Sequence, residues 1–296
     1  FFKKTYPTGI RPQAKDIVRT WLYYTLLRCE KLTGQKPWSE AWIMGYGLDE
    51  KGMKMSKSKG NALDPLPVIQ KSGADTFRFW SASEINHGYD FRCSEQKIES
   101  TKKFLSKLWN VSRFLSSFPL VDSANLTDTD KWILSELDNL IAECNDGYAK
   151  YNFFVPALAI REFTWNVFAA HYIEMAKGRA YGIDFSDEER DAAVYTLHKV
   201  LLTILKLLAP ITPFITEYLW KTLYSKDSIH NEQLPKSEKP HNVNEHTSNI
   251  IEFNSKVWNE KKDKDLSLKD SIKMEIPKEL EIFRKDLIAM HNIKSD

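Results

Sequence analysis

A short lysine-rich segment, MKMSKSKGN, carries the most distinctive chemical potential in this sequence. It spans Met53–Asn61, follows Gly52 and contains Gly60, and presents Lys54, Lys57 and Lys59 close together. Clustered cations and backbone N–H donors in a glycine-bounded loop suit a phosphate-rich ligand, because such a loop can approach a triphosphate closely. It is not a Walker loop, since no G-x-x-x-x-G-K-[ST] string occurs. Composition alone favours a solvated lysine-rich hairpin.

The elements around this loop predict a parallel sheet. Residues Tyr6–Ile10 are strand-like, Asp16–Leu32 have apolar residues at helical spacing that predict a helix with a buried face, and Ala41–Gly47 form an apolar run too short for a helix. A β-α-β order is typical of doubly wound sheets, whose ligands bind at the carboxyl ends of strands. The lysine loop therefore follows a strand end suited to a ligand.

The second half of the chain predicts an antiparallel helical bundle. Asp64–Pro67 are expected to break the chain, and Gly73–Ser83 to form a short helix in a connector that ends near Cys93. Four apolar stripes at helical spacing follow. They comprise Phe104, Leu108, Val111 and Leu115; Ile133, Leu137, Leu140, Ile141 and Cys144; Phe163, Val167 and Ala170; and Val194, Leu197, Leu201, Ile204 and Leu208. The predicted fold class is α/β followed by all-α.

Local signals locate the remaining boundaries. Ser186–Glu189 form a capping box, and Pro213 suits the first turn of a helix. A polar stretch at 225–248, with Pro235 and Pro240, predicts a loosely ordered linker. Helices are expected near 250–263 and 278–290, with a short segment at 274–276 between them.

Charge and cysteine content exclude several classes of protein. Lys and Arg number 42 against 40 for Asp and Glu, so any nucleic-acid affinity must come from local clusters. Cys29, Cys93 and Cys144 are far apart, which argues against a zinc site or a disulfide framework and favours a reducing cytoplasm. No apolar run approaches the roughly 20 residues that cross a bilayer. The chain opens without methionine, and we expect a part of a longer polypeptide.

Several strings resemble one enzyme family. Lys54–Ser58 match the KMSKS motif of class I aminoacyl-tRNA synthetases, in the expected strand-to-loop context. Other segments are similar to valyl-tRNA synthetases of the archaeal type or their close relatives: Arg11–Leu22 before the last sheet strand, Gly73–Trp80 in the connector, Lys107–Phe114 and Tyr172–Lys177 in the anticodon-binding bundle, and Leu268–Ile272 and Asp286–Ile293 in the junction after it.

The resemblance implies four consecutive parts. Residues 1–64 would be the C-terminal part of a Rossmann-like catalytic domain, and 65–98 a connector that contacts the tRNA stem. Residues 99–236 would be the helical anticodon-binding domain, and 237–296 a linker and junction. The family's His-x-Gly-His motif and its editing domain do not occur here. We therefore expect that this chain alone cannot form an adenylate.

The implied reaction joins valine to ATP, as its Mg²⁺ complex, and then transfers valine to the 3′ end of a tRNA. The implied partners are ATP, valine and a valine tRNA, in a monomeric cytoplasmic enzyme without a membrane segment or a zinc site. Positioning and charge stabilisation supply most of the rate in such displacements. By resemblance, Lys57 acts on the leaving pyrophosphate and Lys54 assists.

The remaining loop and sheet residues have competing interpretations. The resemblance implies that ATP binding also involves Met55, Ser56, Ser58 and Gly45. Met55 has an alternative role, which is to anchor the loop in an apolar notch. Gln13 and Asp16 are expected to contact ribose or the aminoacyl end. Their alternatives are strand-end polarity for Gln13 and a helix N-terminal position for Asp16. Lys59 and Asn61 are expected to shape the turn.

In the bundle, Asn110 and Arg113 lie three residues apart and match positions that read anticodon bases in methionine-type enzymes. Planar amide and guanidinium groups suit splayed bases, but a surface amide and a surface salt bridge are the alternatives. Four tryptophans, Trp109, Trp132, Trp165 and Trp220, have two interpretations: stacking on bases, or packing in the core, which aromatic residues on apolar helix faces favour. His171 and His198 are expected to be packing histidines.

Two other functions stay open at this point. An isoleucyl-tRNA synthetase is the nearest rival, although the cysteines of its C-terminal zinc site are absent here. A tRNA-binding module that has lost its chemistry is the second. The intact KMSKS string argues against that module, because a decayed site should lose its lysines.

Overall fold

A computed structural model describes residues 2–238 and 246–294, and the chain divides into two compact units. The first comprises the chain up to Lys102 together with Gly147–Ala157. The second comprises Lys103–Asp146 and the chain from Leu158 onwards. The four-part division inferred from the sequence stays a prediction. Pro240 of the expected linker lies outside the described residues.

The first unit contains the predicted parallel β-α-β arrangement. Strands β1 and β2 pair in parallel, with Thr8 opposite Trp38 and Ala14 opposite Met44. A short 3₁₀ turn and a π-helical turn lead from β1 into helix α2, which ends at Gly34 in the left-handed conformation that glycine adopts without strain. In chain order the elements are α1 Phe2–Thr5, β1 Thr8–Ala14, a 3₁₀ turn Lys15–Ile17, a π-helix Val18–Leu22, α2 Tyr23–Thr33 and β2 Trp38–Met44.

The prediction that the helix after β1 has a buried face is wrong. No residue from Lys15 to Thr33 is buried, and Trp21 is 55% exposed. Helical spacing of apolar residues sets which face can be buried, but burial also requires a surface to pack against. Among the described residues this sheet has only two strands.

The expected single strand at 41–47 is divided in two. After β2, a separate short strand β3, Gly47–Leu48, pairs in parallel with β4, Phe91–Arg92. The connector between them contains helices α3, Pro65–Ser72, and α4, Ala74–Glu84. The lysine loop therefore follows β3, and the predicted position after a strand's carboxyl end is confirmed.

The expected chain break at Asp64–Pro67 is also wrong. Asp64 caps α3, since its carboxylate accepts a hydrogen bond from the backbone N–H of Leu66 at 3.1 Å. Pro65 occupies the first helical position, where no N–H donor is required. Proline therefore starts a helix here. The helix predicted at Gly73–Ser83 is confirmed as α4.

The second unit is the predicted helical bundle. The residues of the four apolar stripes are buried, apart from Val167 and Ala170, which are half-buried. The Ser186–Glu189 capping box and the first-turn position of Pro213 are confirmed. The helices here, of which the first three extend across the boundaries of the units, are α5 Glu95–Leu115, α6 Asp128–Ala149, α7 Phe154–Glu162 with a π-helix Phe163–Tyr172, α8 Ile173–Ala180, α9 Asp187–Leu208, α10 Pro213–Leu223, α11 Thr247–Asp263 and α12 Arg284–His291.

One turn of the expected linker is packed. A 3₁₀ turn at Ile229–Asn231 buries Ile229, and Glu217 of α10 accepts hydrogen bonds from Ser228 Oγ and from the N–H of Ile229 at 3.0 and 2.9 Å. Polar composition predicted a loose segment, but one buried isoleucine and a carboxylate acceptor order it. The 274–276 segment contains no strand, and 278–283 form a 3₁₀ helix before α12.

A buried ionic cluster joins three helices of the second unit. The guanidinium of Arg179, on α8, donates hydrogen bonds to both carboxylate oxygens of Asp130 at 2.9 and 2.8 Å and to Asp286 of α12 at 2.9 Å. Tyr172 donates its hydroxyl to Asp130 at 2.6 Å. Arg179 is only 1% exposed. This cluster fastens α12 to the bundle.

The predicted packing histidines are confirmed. His171 lies 2.9 Å from the amide of Asn254, and His198 lies 3.2 Å from the hydroxyl of Tyr224. Burial lowers the pKa of both imidazoles. Their partners and their neutral form suit structural roles.

The expectation for the tryptophans is only partly right. Trp132 and Trp220 are buried, but Trp109 and Trp165 are 41% and 37% exposed. Within the described ranges, no helix is both long enough and apolar enough to cross a bilayer.

Candidate functional site

The lysine loop begins as a tight hairpin. Leu48 of β3 forms an antiparallel bridge with Lys54, and the N–H of Met55 donates to the carbonyl of Gly47 at 3.0 Å. Between them, one carboxylate oxygen of Asp49 accepts the N–H groups of Lys51 and Met53 at 3.0 and 2.8 Å. The turn therefore forms around an acidic side chain.

Asn61 closes the loop against this turn. Its amide nitrogen donates to Asp49 at 2.9 Å and to the carbonyl of Lys54 at 3.3 Å, and its oxygen accepts the N–H of Ser56 at 2.9 Å. The Asn61 hydrogen bond, together with those from the backbone of Met53 and Lys51, lowers the pKa of Asp49. Asp49 was missed in the sequence, although D-E-K-G has the Asp and Gly positions that a β-turn favours.

Two lysines of the loop project into solvent. Residues Lys57–Lys59 form one 3₁₀ turn that ends at Gly60, where φ is +66°, and the hydroxyls of Ser56 and Ser58 lie 3.2 Å apart. Neither Lys57 nor Lys59 forms an ion pair with any residue that the structure describes. Both ammonium groups are therefore available to an anion.

Met55 holds the loop to the body of the first unit. Its side chain packs against a buried cluster that includes Val68, Trp80 and Ile98. Its methyl group also occupies the space beside Gly47 that a Cβ there would need. The alternative of an apolar anchor is thus supported, and contact of Met55 with ATP stays a prediction.

Lys54 lies in a group of charges around one aromatic ring. Its ammonium is 3.2 Å from a carboxylate oxygen of Asp16 and 3.9 Å from the ring centroid of Tyr46. The ammonium of Lys15 is 4.5 Å from the same centroid and 2.6 Å from Asp90. Two cations therefore share the Tyr46 ring, each with its own carboxylate.

Asp90 fixes the backbone beneath this ring. It accepts the N–H of Tyr46 at 2.7 Å, and the hydrogen bond from Lys15, followed by this one, lowers its pKa. Sequence patterns bring Lys54 and Asp16 forward as candidates, but not Tyr46, Lys15 or Asp90. Asp90 follows the connector helices in the sequence, far from Lys15 and Tyr46, so local residue spacing could not predict its contacts with them.

The ring of Tyr46 is expected to position Lys54. A cation over a ring at a solvent-exposed site gains about 0.5–1 kcal/mol, and the Lys54 side chain is exposed. Replacing Tyr46 with leucine in a full-length ligase containing this chain should therefore slow adenylate formation about two- to five-fold. Tyr46→Phe keeps the ring and should retain activity, because the hydroxyl has no hydrogen-bond partner among the described residues. ATP-dependent pyrophosphate exchange measures both. Equal rates for the two variants would contradict this role.

Gly45 and Gln13 occupy crowded positions. A Cβ at Gly45 would overlap the carbonyl oxygen of Tyr89, so close packing within the chain itself requires glycine there. Gln13 lies on β1 beside Ile43, with a buried amide whose nitrogen and oxygen have no hydrogen-bond partner among the described residues. Approach of a nucleotide to Gly45, and contact of Gln13 with substrate, stay predictions.

The two anticodon candidates lie together on α5. Asn110 and Arg113 are both exposed, and neither side chain has a hydrogen bond or ion pair within the part of the chain that is described. The structure thus brings Asp16 and Lys54 together, and separately Asn110 and Arg113. A group of three or more His, Cys, Asp or Glu side chains able to hold a metal is absent from residues 2–238 and 246–294.

Comparison with known families matches both halves of the chain. Residues 1–94 match the profile of class I tRNA synthetases (I, L, M and V), and residues 130–276 match the anticodon-binding domain of tRNA ligases. Two solved synthetases have similar folds at 20% sequence identity. They are a leucyl-tRNA synthetase of Agrobacterium radiobacter in complex with tRNA (TM-score 0.62, 79% of this chain, 29% of that one) and the methionyl-tRNA synthetase of Mycobacterium tuberculosis with methionyl-adenylate (TM-score 0.66, 76% and 46%).

Sequence relatives are more specific. The chain is 43% identical to the valine–tRNA ligase of Nanoarchaeum equitans over 96% of its length and 38% identical to that of Aeropyrum pernix over 98%. It spans 37% of the length of each of these relatives. With both family profiles and these relatives in agreement, the chain belongs to the class I aminoacyl-tRNA synthetases, as a segment of the valine–tRNA ligase family.

Proposed function

We propose that this chain is the part of a valine–tRNA ligase that stabilises the phosphates of ATP and binds the anticodon of the tRNA. The observation that carries the first role is the lysine loop, which Asn61 and Asp49 close while Lys57 and Lys59 remain unpaired among the described residues. The anticodon-binding profile and the exposed Asn110 and Arg113 support the second role.

In the first step, the carboxylate of valine attacks the α-phosphate of ATP, and pyrophosphate leaves. Negative charge grows on the leaving group, so cations that engage it most strongly in the transition state raise the rate. Lys57, one of the two unpaired lysines of the described loop, is assigned that task, with the hydroxyls of Ser56 and Ser58 as further donors. ATP would enter as its Mg²⁺ complex, which neutralises part of the phosphate charge.

Lys54, unlike Lys57, already has a carboxylate partner. It is exposed and paired with Asp16, and exposed pairs of this kind contribute little free energy. A phosphate oxygen can therefore replace the carboxylate of Asp16 at low cost while the Tyr46 ring still supports the ammonium. Asp16 is then released next to the bound nucleotide, which fits its expected contact with ribose or the aminoacyl end.

In the second step, the valyl group passes from the adenylate to the 3′ end of the tRNA. The second unit would hold the anticodon through Asn110 and Arg113, whose planar groups can bond to base edges. The enzyme is proposed to act as a cytoplasmic monomer.

Charging of purified tRNA tests this function against its nearest rival. A full-length ligase containing this chain should charge a valine tRNA, with isoleucine tRNA as the matched control substrate. Charging of isoleucine tRNA alone would assign an isoleucyl-tRNA synthetase. Binding of valine tRNA without pyrophosphate exchange would support the second alternative, a tRNA-binding module without chemistry.

A further inference from the structure

Two exposed aromatic rings stack on each other at the surface of the second unit. Trp109 of α5 and Tyr218 of α10 have ring centroids 5.5 Å apart and planes inclined by 27°. Trp109 is 41% exposed and Tyr218 58% exposed. Phe214 lies one turn before Tyr218 on α10 and is 67% exposed. Large exposed apolar groups that cluster in this way mark binding surfaces, whereas scattered ones do not.

The charges beside these rings are positive. From Lys103 to Val121 the sequence contains Lys103, Lys107 and Arg113 but no acidic residue. Arg113 follows Trp109 by one helical turn, so the two side chains project from the same face of α5. No carboxylate among the described residues pairs with Arg113.

The acidic residue nearest along α10 is already engaged. Glu217 pairs with Lys221 at 2.8 Å and accepts hydrogen bonds from Ser228 and Ile229. The hydrogen bond from Lys221, followed by those from Ile229 and Ser228, lowers its pKa. Its negative charge is thus partly neutralised.

We infer that Trp109 and Tyr218 form a stacking platform for an unpaired base of the anticodon loop. The inference rests on the proposed anticodon-binding role and extends it to residues outside the expected pair. Single-stranded bases stack on aromatic faces and hydrogen-bond through their edges, and nearby cations hold the backbone. Asn110 and Arg113 are the edge and phosphate contacts beside the platform, so one turn of α5 supplies both kinds of recognition.

The test uses the 296-residue chain and a short RNA hairpin whose loop carries a valine anticodon. Removing a ring that stacks on a base weakens binding about 10- to 100-fold. We expect this loss for Trp109→Ala and for Tyr218→Ala, and a smaller loss for Trp109→Phe, which keeps a ring. Tyr195→Leu is the matched control, because Tyr195 is an aromatic residue of α9 with its own nearby cation, Lys199.

A spectroscopic readout separates stacking from a change in the fold. With 2-aminopurine in place of successive loop bases, stacking on Trp109 should quench the fluorescence of one position in the wild-type chain and not in Trp109→Ala. Circular dichroism should show equal helix content in both.

The outcomes distinguish this inference from the proposed function. If Arg113→Ala weakens binding while the Trp109 and Tyr218 variants bind as wild type, anticodon binding stands and the platform is overturned. If the wild-type chain does not bind the hairpin, the proposed anticodon role and the platform both fail.

Discussion

Replacing Lys57 with alanine is expected to slow adenylate formation by about 10²- to 10³-fold, the loss typical when one preorganised group that stabilises transition-state charge is removed. Lys57 is exposed in a 3₁₀ turn, and none of the described residues is bonded to its ammonium. Its removal should therefore leave stability unchanged. Pyrophosphate exchange, measured in a full-length ligase containing this chain, gives the rate.

Lys59→Ala is the matched control for this experiment. Lys59 lies in the same turn and is also exposed, but the contact with the leaving pyrophosphate is assigned to Lys57, so the loss of Lys59 should change the rate a few-fold at most. A Lys57→Ala enzyme with the wild-type rate would remove Lys57 from the mechanism. Equal losses for the two variants would show that net charge, and not the position of Lys57, governs the site.

Replacing Arg179 with methionine is expected to destabilise the second unit by about 3–5 kcal/mol, because it leaves two buried carboxylates without their cation. Asp130 and Asp286 both depend on this guanidinium. The midpoint of urea unfolding, followed by helical circular dichroism, measures the loss. Lys285→Met is the control, since its pair with Glu189 also involves α12 but is exposed and should contribute far less.

The pH dependence of this variant follows from the carboxylate of Asp286. Burial raises the pKa of Asp286, and the neighbouring Arg179 opposes that rise. Without Arg179 the folded-state pKa rises further above its unfolded value, so folding takes up protons and becomes more favourable as pH falls. The loss in free energy of unfolding that Arg179→Met causes should therefore be smaller at pH 5 than at pH 7. An unchanged loss would show that lost packing, and not unpaired charge, causes the destabilisation.

Local patterns predicted the order of elements well. The parallel β-α-β arrangement, the capping box at Ser186 and the buried stripes of the bundle depend on residues a few positions apart, and spacing records these directly. The break expected at Pro65 was wrong because proline also starts helices, and only the carboxylate of Asp64 in its capping position distinguishes the two.

Contacts between distant residues could not be predicted in the same way. The Tyr46 ring receives Lys15 and Lys54 from two different segments, and Asp90 joins from a third. The exposure of Trp109 and of the helix after β1 likewise depends on which surfaces cover them. Helical periodicity identifies an apolar face, but it does not supply the partner that buries it.

The hydrogen bonds between Asp49 and Asn61 have a consequence for how the loop can vary. The groups that determine its conformation are a carboxylate, an amide, backbone atoms and the apolar side chain of Met55, and none of them is a lysine ammonium. Shape and charge are thus encoded by separate residues. Lysines can be removed or added one at a time on an unchanged scaffold, so the affinity of this loop for phosphate can be adjusted without refolding it.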